Sequence, residues 1–208
     1  MTRNLALALA VTTAMAACGR GADEGAIPDA RAPSASTATP PSAEPTLPAA
    51  NTAAGFLARA ALVDLYEQRS AQIALDRSLN ADVRRFAQLM LDDHGRMARE
   101  AQAAASAQNI SVAAPTRPDG RRQDLLSALH DAGADDFDDR YIDQQTEAHD
   151  NALQLMREYA DTGDNPALKD WARRTAPALE NHLQMVKALD RGQADDPAGA
   201  NLPRAQDR

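Results

Sequence analysis

The chain has 208 residues, of which 44% are hydrophobic but only 3% aromatic, and a formal net charge of −8. A chain of this length suits one domain with tails, and its many Ala and Leu residues favour helix over sheet. The acidic balance argues against nucleic acid and against anionic lipid as partners, because both are bound through clusters of Lys and Arg.

The first 18 residues have the pattern of a signal peptide. Arg3 supplies a positive start, and residues 5–17 form an uncharged run that is shorter than the roughly 20 apolar residues of a spanning helix. The run ends in Met-Ala-Ala-Cys, which resembles a bacterial lipobox with Cys18 as the acylated residue. By that resemblance, Gly19 after the cysteine implies an outer-membrane lipoprotein whose domain faces the periplasm. The alternative is an ordinary secretory signal cut after Ala16, which leaves Cys18 as a free thiol.

The composition divides the rest of the chain into a linker, a domain and a tail. Residues 19–52 are rich in Ala, Pro, Ser, Thr and Gly and show no apolar period, which predicts a disordered tether. Residues 192–208 form a polar tail. The folded domain therefore spans residues 53–191.

Helical periodicity continues through that domain. The predicted segments are long helices over 53–79, 81–108, 135–161 and 166–190, with a short helix over 122–131 in a long connection. Asn80 and Asn165 stand where N-caps belong, and Pro177 should kink the last helix. The pattern predicts an all-α fold, an antiparallel four-helix bundle, with a helical solenoid as the alternative.

Each long helix carries one titratable residue where its period calls for an apolar one. These residues are Glu67, His94, His149 and His182. Glu67 and His94 are equidistant from the first turn, and His149 and His182 from the last turn, so each pair should lie level across its hairpin. At about 1.5 Å per residue, both an up-down topology and a crossover bring the four side chains toward one layer.

Three imidazoles and one carboxylate predict a site for a single zinc, iron, manganese or copper ion. Met97 and Met185 lie one turn from a histidine, and their thioethers would favour copper, although methionines at this spacing commonly fill cores. Asp138 and Tyr141 are candidates to hydrogen-bond a ligand. The alternative is a metal-free layer in which His and Glu bond each other and fix the register.

The same residues carry a family resemblance. Residues 56–67 and 83–94 resemble the opening hairpin of the DUF4142 family, and residues 137–142, 148–149 and 176–183 resemble its second half. The resemblance covers about residues 53–191 and implies a ferritin-like bundle in a bacterial envelope protein, without implying a reaction. The Glu-x-x-His pairs of di-iron enzymes are missing, because Leu91, Thr146 and Leu179 precede the histidines by three residues; this puts oxygen activation in doubt.

Three functions follow as hypotheses. The first is a metal-binding module for buffering, sensing or delivery, and the second is a non-catalytic module that binds another envelope component. The third, a metal-dependent enzyme, has the least support, because the sequence shows no pocket. The identity of the ion, the partner and the oligomeric state stay open.

Overall fold

The computed structural model describes residues 46–192. The predicted signal peptide with Cys18, most of the linker and the tail from 193 onward lie outside the described residues. The described chain is helical, with α1 at Ala53–Arg77, α2 at Ala81–Ala107, α3 at Gly120–Asp131, α4 at Phe137–Thr162 and α5 at Pro166–Asp190. None of these helices is both long and apolar enough to cross a membrane.

Side-chain caps fix where the helices begin. The Asn80 side chain accepts from the backbone N–H groups of Asp82 and Val83 at the start of α2, as the sequence predicts. The side chain of Asn165 accepts from the N–H of Leu168 at the start of α5. Each cap satisfies donors that have no partner within the helix, so the two tight turns are encoded locally.

Three helix ends differ by two residues from their predicted positions, and one of them is the start of α3, at Gly120 rather than at residue 122. Helix α1 ends at Arg77 rather than at residue 79, because Ser78 is extended and its hydroxyl accepts from the N–H of Asn80. Helix α4 begins at Phe137, two residues later than predicted, since Asp136 precedes it as the N-cap residue. Helix α5 continues through Pro177 as a single helix.

The four long helices form a closed bundle, as predicted. Helix α1 packs against α2, α4 against α5, α1 against α4 and α2 against α5. Asp164 donates its N–H to the carbonyl of Asn51, which places the α4–α5 turn at the end of the bundle where α1 begins. The sequence left the topology open between an up-down arrangement and a crossover, and the contacts show the crossover.

The long connection crosses the bundle from one end to the other. Helix α2 ends beside the α4–α5 turn, where the side chain of Asn165 donates to that of Gln108. Helix α3 ends beside the end of α1, where the Arg77 guanidinium donates to the carbonyls of Leu129, His130 and Ala132. Residues 108–136 therefore return the chain to the far end, and α4 starts there.

Aromatic side chains fill both ends of the core. Phe56 stacks on Tyr159 at 3.9 Å between ring centroids and meets the edge of Trp171 at 5.7 Å. Toward the other end, Tyr141 stacks with Phe137 at 6.4 Å. Burying such rings removes large apolar areas from water, and the layer between the two clusters is polar.

Candidate metal centre

Three histidines from three helices meet in that polar layer. His94 from α2, His149 from α4 and His182 from α5 are exposed by only 1%, 0% and 2%. Their ring centroids are separated by 5.4 to 5.7 Å, and each ring offers a nitrogen within 4.8 Å of those of the other two. The structure therefore brings together three of the four residues that the sequence singled out as ligands.

Hydrogen bonds fix the orientation of two of these rings. His94 Nδ1 lies 2.9 Å from Asp64 Oδ1, and His149 Nδ1 lies 2.9 Å from the carbonyl oxygen of Gln145. Both partners are oxygen acceptors, so each Nδ1 carries hydrogen and donates it. The two Nε2 atoms then face each other at 3.4 Å.

The third ring is turned the other way. His182 Nε2 lies 3.0 Å from Asp93 Oδ2, whereas its Nδ1 is buried and has no hydrogen-bond partner in the described structure. Because Asp93 is an acceptor, Nε2 donates and Nδ1 keeps its lone pair. The inward nitrogens are therefore Nε2 of His94, Nε2 of His149 and Nδ1 of His182.

Glu67 lies beside this triangle on α1. Its side chain is 1% exposed, and neither carboxylate oxygen has a hydrogen-bond partner among the described residues. The three histidines offer ligand atoms that all lie within 4.8 Å of one another, and Glu67 is not part of that group. Burial raises the pKa of Glu67 to about 7, although the nearby His94 acts to lower it.

Two further buried oxygens near Glu67 also have no hydrogen-bond partner within residues 46–192. They are Tyr141 Oη and Gln145 Oε1, and both side chains are fully buried. Burial raises the pKa of Tyr141 well above its usual value, and the Glu67 charge adds to the effect. Buried polar atoms are normally paired, so this group of oxygens beside the three histidines is unusual. Asp138 and Tyr141 were the two candidates to hydrogen-bond a metal ligand. Tyr141 lies in this group, and Asp138 has one buried oxygen without a partner among the described residues.

The three rings differ in how readily they hold a proton. Burial acts to lower the pKa of His94, but its hydrogen bond to Asp64 and the charges of Glu67 and Asp64 leave it raised. Burial lowers the pKa of His149 well below its usual value, and the neighbouring histidines lower it further. Three carboxyl groups therefore surround three imidazoles, of which His94 is the one that best holds a proton.

Sequence reasoning missed two residues of this site. Asp64 holds His94 and Asp93 holds His182, and neither is among the candidate residues that the sequence pattern indicates. The sequence signal was modest: Asp64 lies one helical turn before Glu67, and Asp93 directly precedes His94. The hydrogen bond to His182 holds the pKa of Asp93 at about 2, below its ordinary range. Met97 and Met185 belong to the buried hydrophobic core, and their influence on an ion stays a prediction.

The arrangement has the donor set and the outer support of a metal site. Three imidazole nitrogens suit a first-row transition metal, and a carboxylate such as that of Glu67 is a ligand type that these metals also accept. Each histidine in a metal site ordinarily donates its other N–H to a carboxylate or carbonyl oxygen, which fixes the tautomer. Asp64, the Gln145 carbonyl and Asp93 fill this role here.

The comparisons with known proteins give one match. The sequence model of a domain of unknown function, DUF4142, matches residues 37–189 of this chain. A search of curated proteins and a search of solved structures each found no match.

Proposed function

The chain belongs to the DUF4142 family, a domain of unknown function. We propose that it is an envelope lipoprotein and that it binds one transition-metal ion at its histidine site. The ligands are His94, His149, His182 and Glu67. The observation that carries the proposal is the set of three buried imidazoles, because each ring has one nitrogen bonded to an oxygen and each offers a nitrogen within 4.8 Å of those of the other two.

The burial of the site favours holding an ion over transforming a substrate. The three imidazoles are exposed by 2% or less, which leaves a substrate no direct contact with the ligands. A buried ion ligated by side chains of several helices exchanges slowly and stabilises the fold. The proposed role is therefore buffering, sensing or delivery of the metal at the periplasmic face of the membrane.

The anchor is the second part of the proposal and is supported by the sequence around Cys18. If Cys18 is acylated, labelling with a fatty-acid analogue should mark the parent protein in the membrane fraction. A Cys18→Ser variant should lose the label and appear in the soluble periplasmic fraction. Equal labelling of both proteins, or a parent without label, would refute the anchor and leave the metal proposal standing.

Metal content tests the site directly. The full chain, exported to the periplasm and purified without a polyhistidine tag or chelator, should contain close to one equivalent of a single transition metal. His149→Ala should lose that metal, whereas His130→Ala should keep it, because His130 is exposed at the end of α3. A parent that stays empty after addition of zinc, copper, iron and manganese would leave a metal-free polar layer, and the search would turn to a protein partner in the envelope.

A further inference from the structure

A cavity outside the histidine triangle lies between α1, α2 and residues 112–115. Its volume is about 160 Å³, and an apolar cavity of about 150 Å³ is large enough to hold one benzene molecule. The space exists because short side chains line it from both helices. They are Ala61 on α1 and Ala98, Ala101 and Ala105 on α2, where the spacing of three or four residues places them on one face.

The walls of this α1–α2 cavity are mainly aliphatic, with one buried charge. Asp64 is the one ionisable residue in the described lining, and its side chain is 7% exposed. The amide side chains of Gln68 and Gln102 also contribute, and the cavity meets solvent beside the exposed Gln102 and Ala113. Apolar walls with a few placed polar groups are the usual form of a site for a small molecule.

The Asp64 carboxylate has one oxygen left for a ligand in this cavity. Its Oδ1 accepts from His94 Nδ1 at 2.9 Å, whereas no hydrogen bond within residues 46–192 uses its Oδ2. A buried carboxylate is costly unless its oxygens have donors or an opposite charge. A ligand that brings both a positive charge and an N–H donor therefore fits Oδ2, and a charge-assisted bond of this kind is a strong one.

We propose that the α1–α2 cavity binds a small organic cation, a primary ammonium ion on an aliphatic chain of about four to six carbon atoms. The ammonium group donates to Asp64 Oδ2 while Oδ1 keeps His94, and the chain lies against Leu57, Ala61 and Ala98. A hydrated metal ion does not fit here, because it would lose water and gain no ligand from the aliphatic walls. The inference goes beyond the proposed metal function and does not depend on it.

Titration with n-butylammonium chloride tests this assignment. Amide chemical shifts of the full chain are followed by NMR in excess chelator, so that no metal contributes. The signals of Ala61, Ala98 and Val112 should shift together and saturate in the millimolar range. 1-Butanol has the same chain without the charge and should bind at least about tenfold more weakly. Butyrate should not bind, because its carboxylate meets that of Asp64.

Three variants separate the charge from the space. Asp64→Asn keeps the shape of the side chain and should weaken butylammonium binding at least about tenfold. Ala98→Leu fills the cavity from α2 and should abolish saturable binding. Ala104→Leu is the matched control, because it makes the same change on the same helix but lines a different cleft, between α2 and α5. Its affinity for butylammonium should equal that of the parent.

The results that would overturn the assignment are distinct from a failure of the metal site. A parent that does not bind butylammonium, or that binds butyrate equally well, would refute it. Equal binding in Ala98→Leu and Ala104→Leu would also refute it, since the ligand would then lie elsewhere. The same holds for an unchanged affinity in Asp64→Asn, with the fold checked by circular dichroism. None of these measurements depends on metal content, which tests the proposed function separately.

Discussion

His94 and His149 face each other through their Nε2 atoms at 3.4 Å in the middle of the bundle. Two lone pairs repel at such a distance, so without an ion one ring must hold a proton and donate it to the other. The pKa of His94 is raised and that of His149 is lowered, so His94 is the ring more ready to hold it. A metal ion replaces this proton, and binding should therefore release protons and weaken as the pH falls.

Metal binding should stabilise the fold. At a free metal concentration of 100 times the dissociation constant, the free energy of unfolding should rise by about 2.7 kcal/mol. Urea unfolding followed by circular dichroism, with metal and then with excess chelator, measures the gain and its reversal. His149→Ala should show no gain and His130→Ala the full gain. A gain that persists in His149→Ala would show that the ion binds elsewhere.

Asp64 should control metal affinity without being a ligand. In Asp64→Asn the side chain can present its amide N–H₂ to His94, which favours the tautomer with hydrogen on the inward Nε2. Loss of such an outer partner typically lowers affinity by about 10- to 100-fold. Competition with a chromophoric chelator measures the constant. Asp76→Asn, on the exposed side of the same helix, should bind metal as tightly as the parent. A similar loss of affinity in both variants would show that the change in net charge causes it.

Glu67 should make the stability of the metal-free protein depend on pH. Its folded-state pKa of about 7 lies above the ordinary 4.5, so the folded state binds the proton more tightly. The stability that this proton contributes is present below about pH 4.5 and lost as the pH rises through about 7. Relative to the parent, Glu67→Gln should therefore gain up to about 3 kcal/mol between pH 4.5 and 7.5.

Urea unfolding of both proteins in chelator, at matched pH values, checks the Glu67 prediction. The comparison between the two proteins removes most of the contribution of the histidines, because both proteins carry the same ones. A constant difference in unfolding free energy across this range would show that Glu67 is ionised in the metal-free fold. With metal bound, the difference should reverse in sign, because the carboxylate is then a ligand.

Two glycines should respond to alanine in opposite ways. A Cβ at Gly95 would meet its nearest neighbour, Arg99 Nη1, at 3.6 Å, an ordinary contact. Gly95→Ala should therefore stabilise α2 by about 0.5–1 kcal/mol, since alanine loses less backbone entropy. A Cβ at Gly55 would collide with the carbonyl oxygen of Ala49. Gly55→Ala should lower the melting temperature and Gly95→Ala should raise it, and the opposite order would contradict the packing described here.

Much of the fold could be predicted because its signals are local. Asn80 and Asn165 mark helix starts by their position before an apolar period, and the structure shows both as caps. The crossover could not be predicted from residues 109–121, which have no period, because their path depends on distant contacts such as Arg77 with the end of α3. The end of α1 depends on the Ser78 hydroxyl, which accepts from the N–H of Asn80, and a local side-chain bond of this kind competes with one more helical turn.

The site was predictable as far as helix geometry determines it. The spacing from each turn placed His94, His149 and His182 at one height, and the structure brings them together. The sequence could not give the ring orientations, because rotation about two side-chain torsions decides which nitrogen faces inward. The roles of Asp64 and Asp93 depend on those rotations, and both residues look like ordinary helix-surface acids in sequence.

The triangle also has a consequence for the cooperativity of the bundle. His94 belongs to the α1–α2 hairpin, while His149 and His182 belong to the α4–α5 hairpin. An ion held by all three rings would fasten the two hairpins to each other, so neither could open while the ion stays bound. Amide hydrogen exchange would then slow at the centres of all four long helices together, and the ends near Leu79 and Gly163 would keep exchanging by fraying. The metal would thus add a direct link between the two hairpins to the hydrophobic core that they already share.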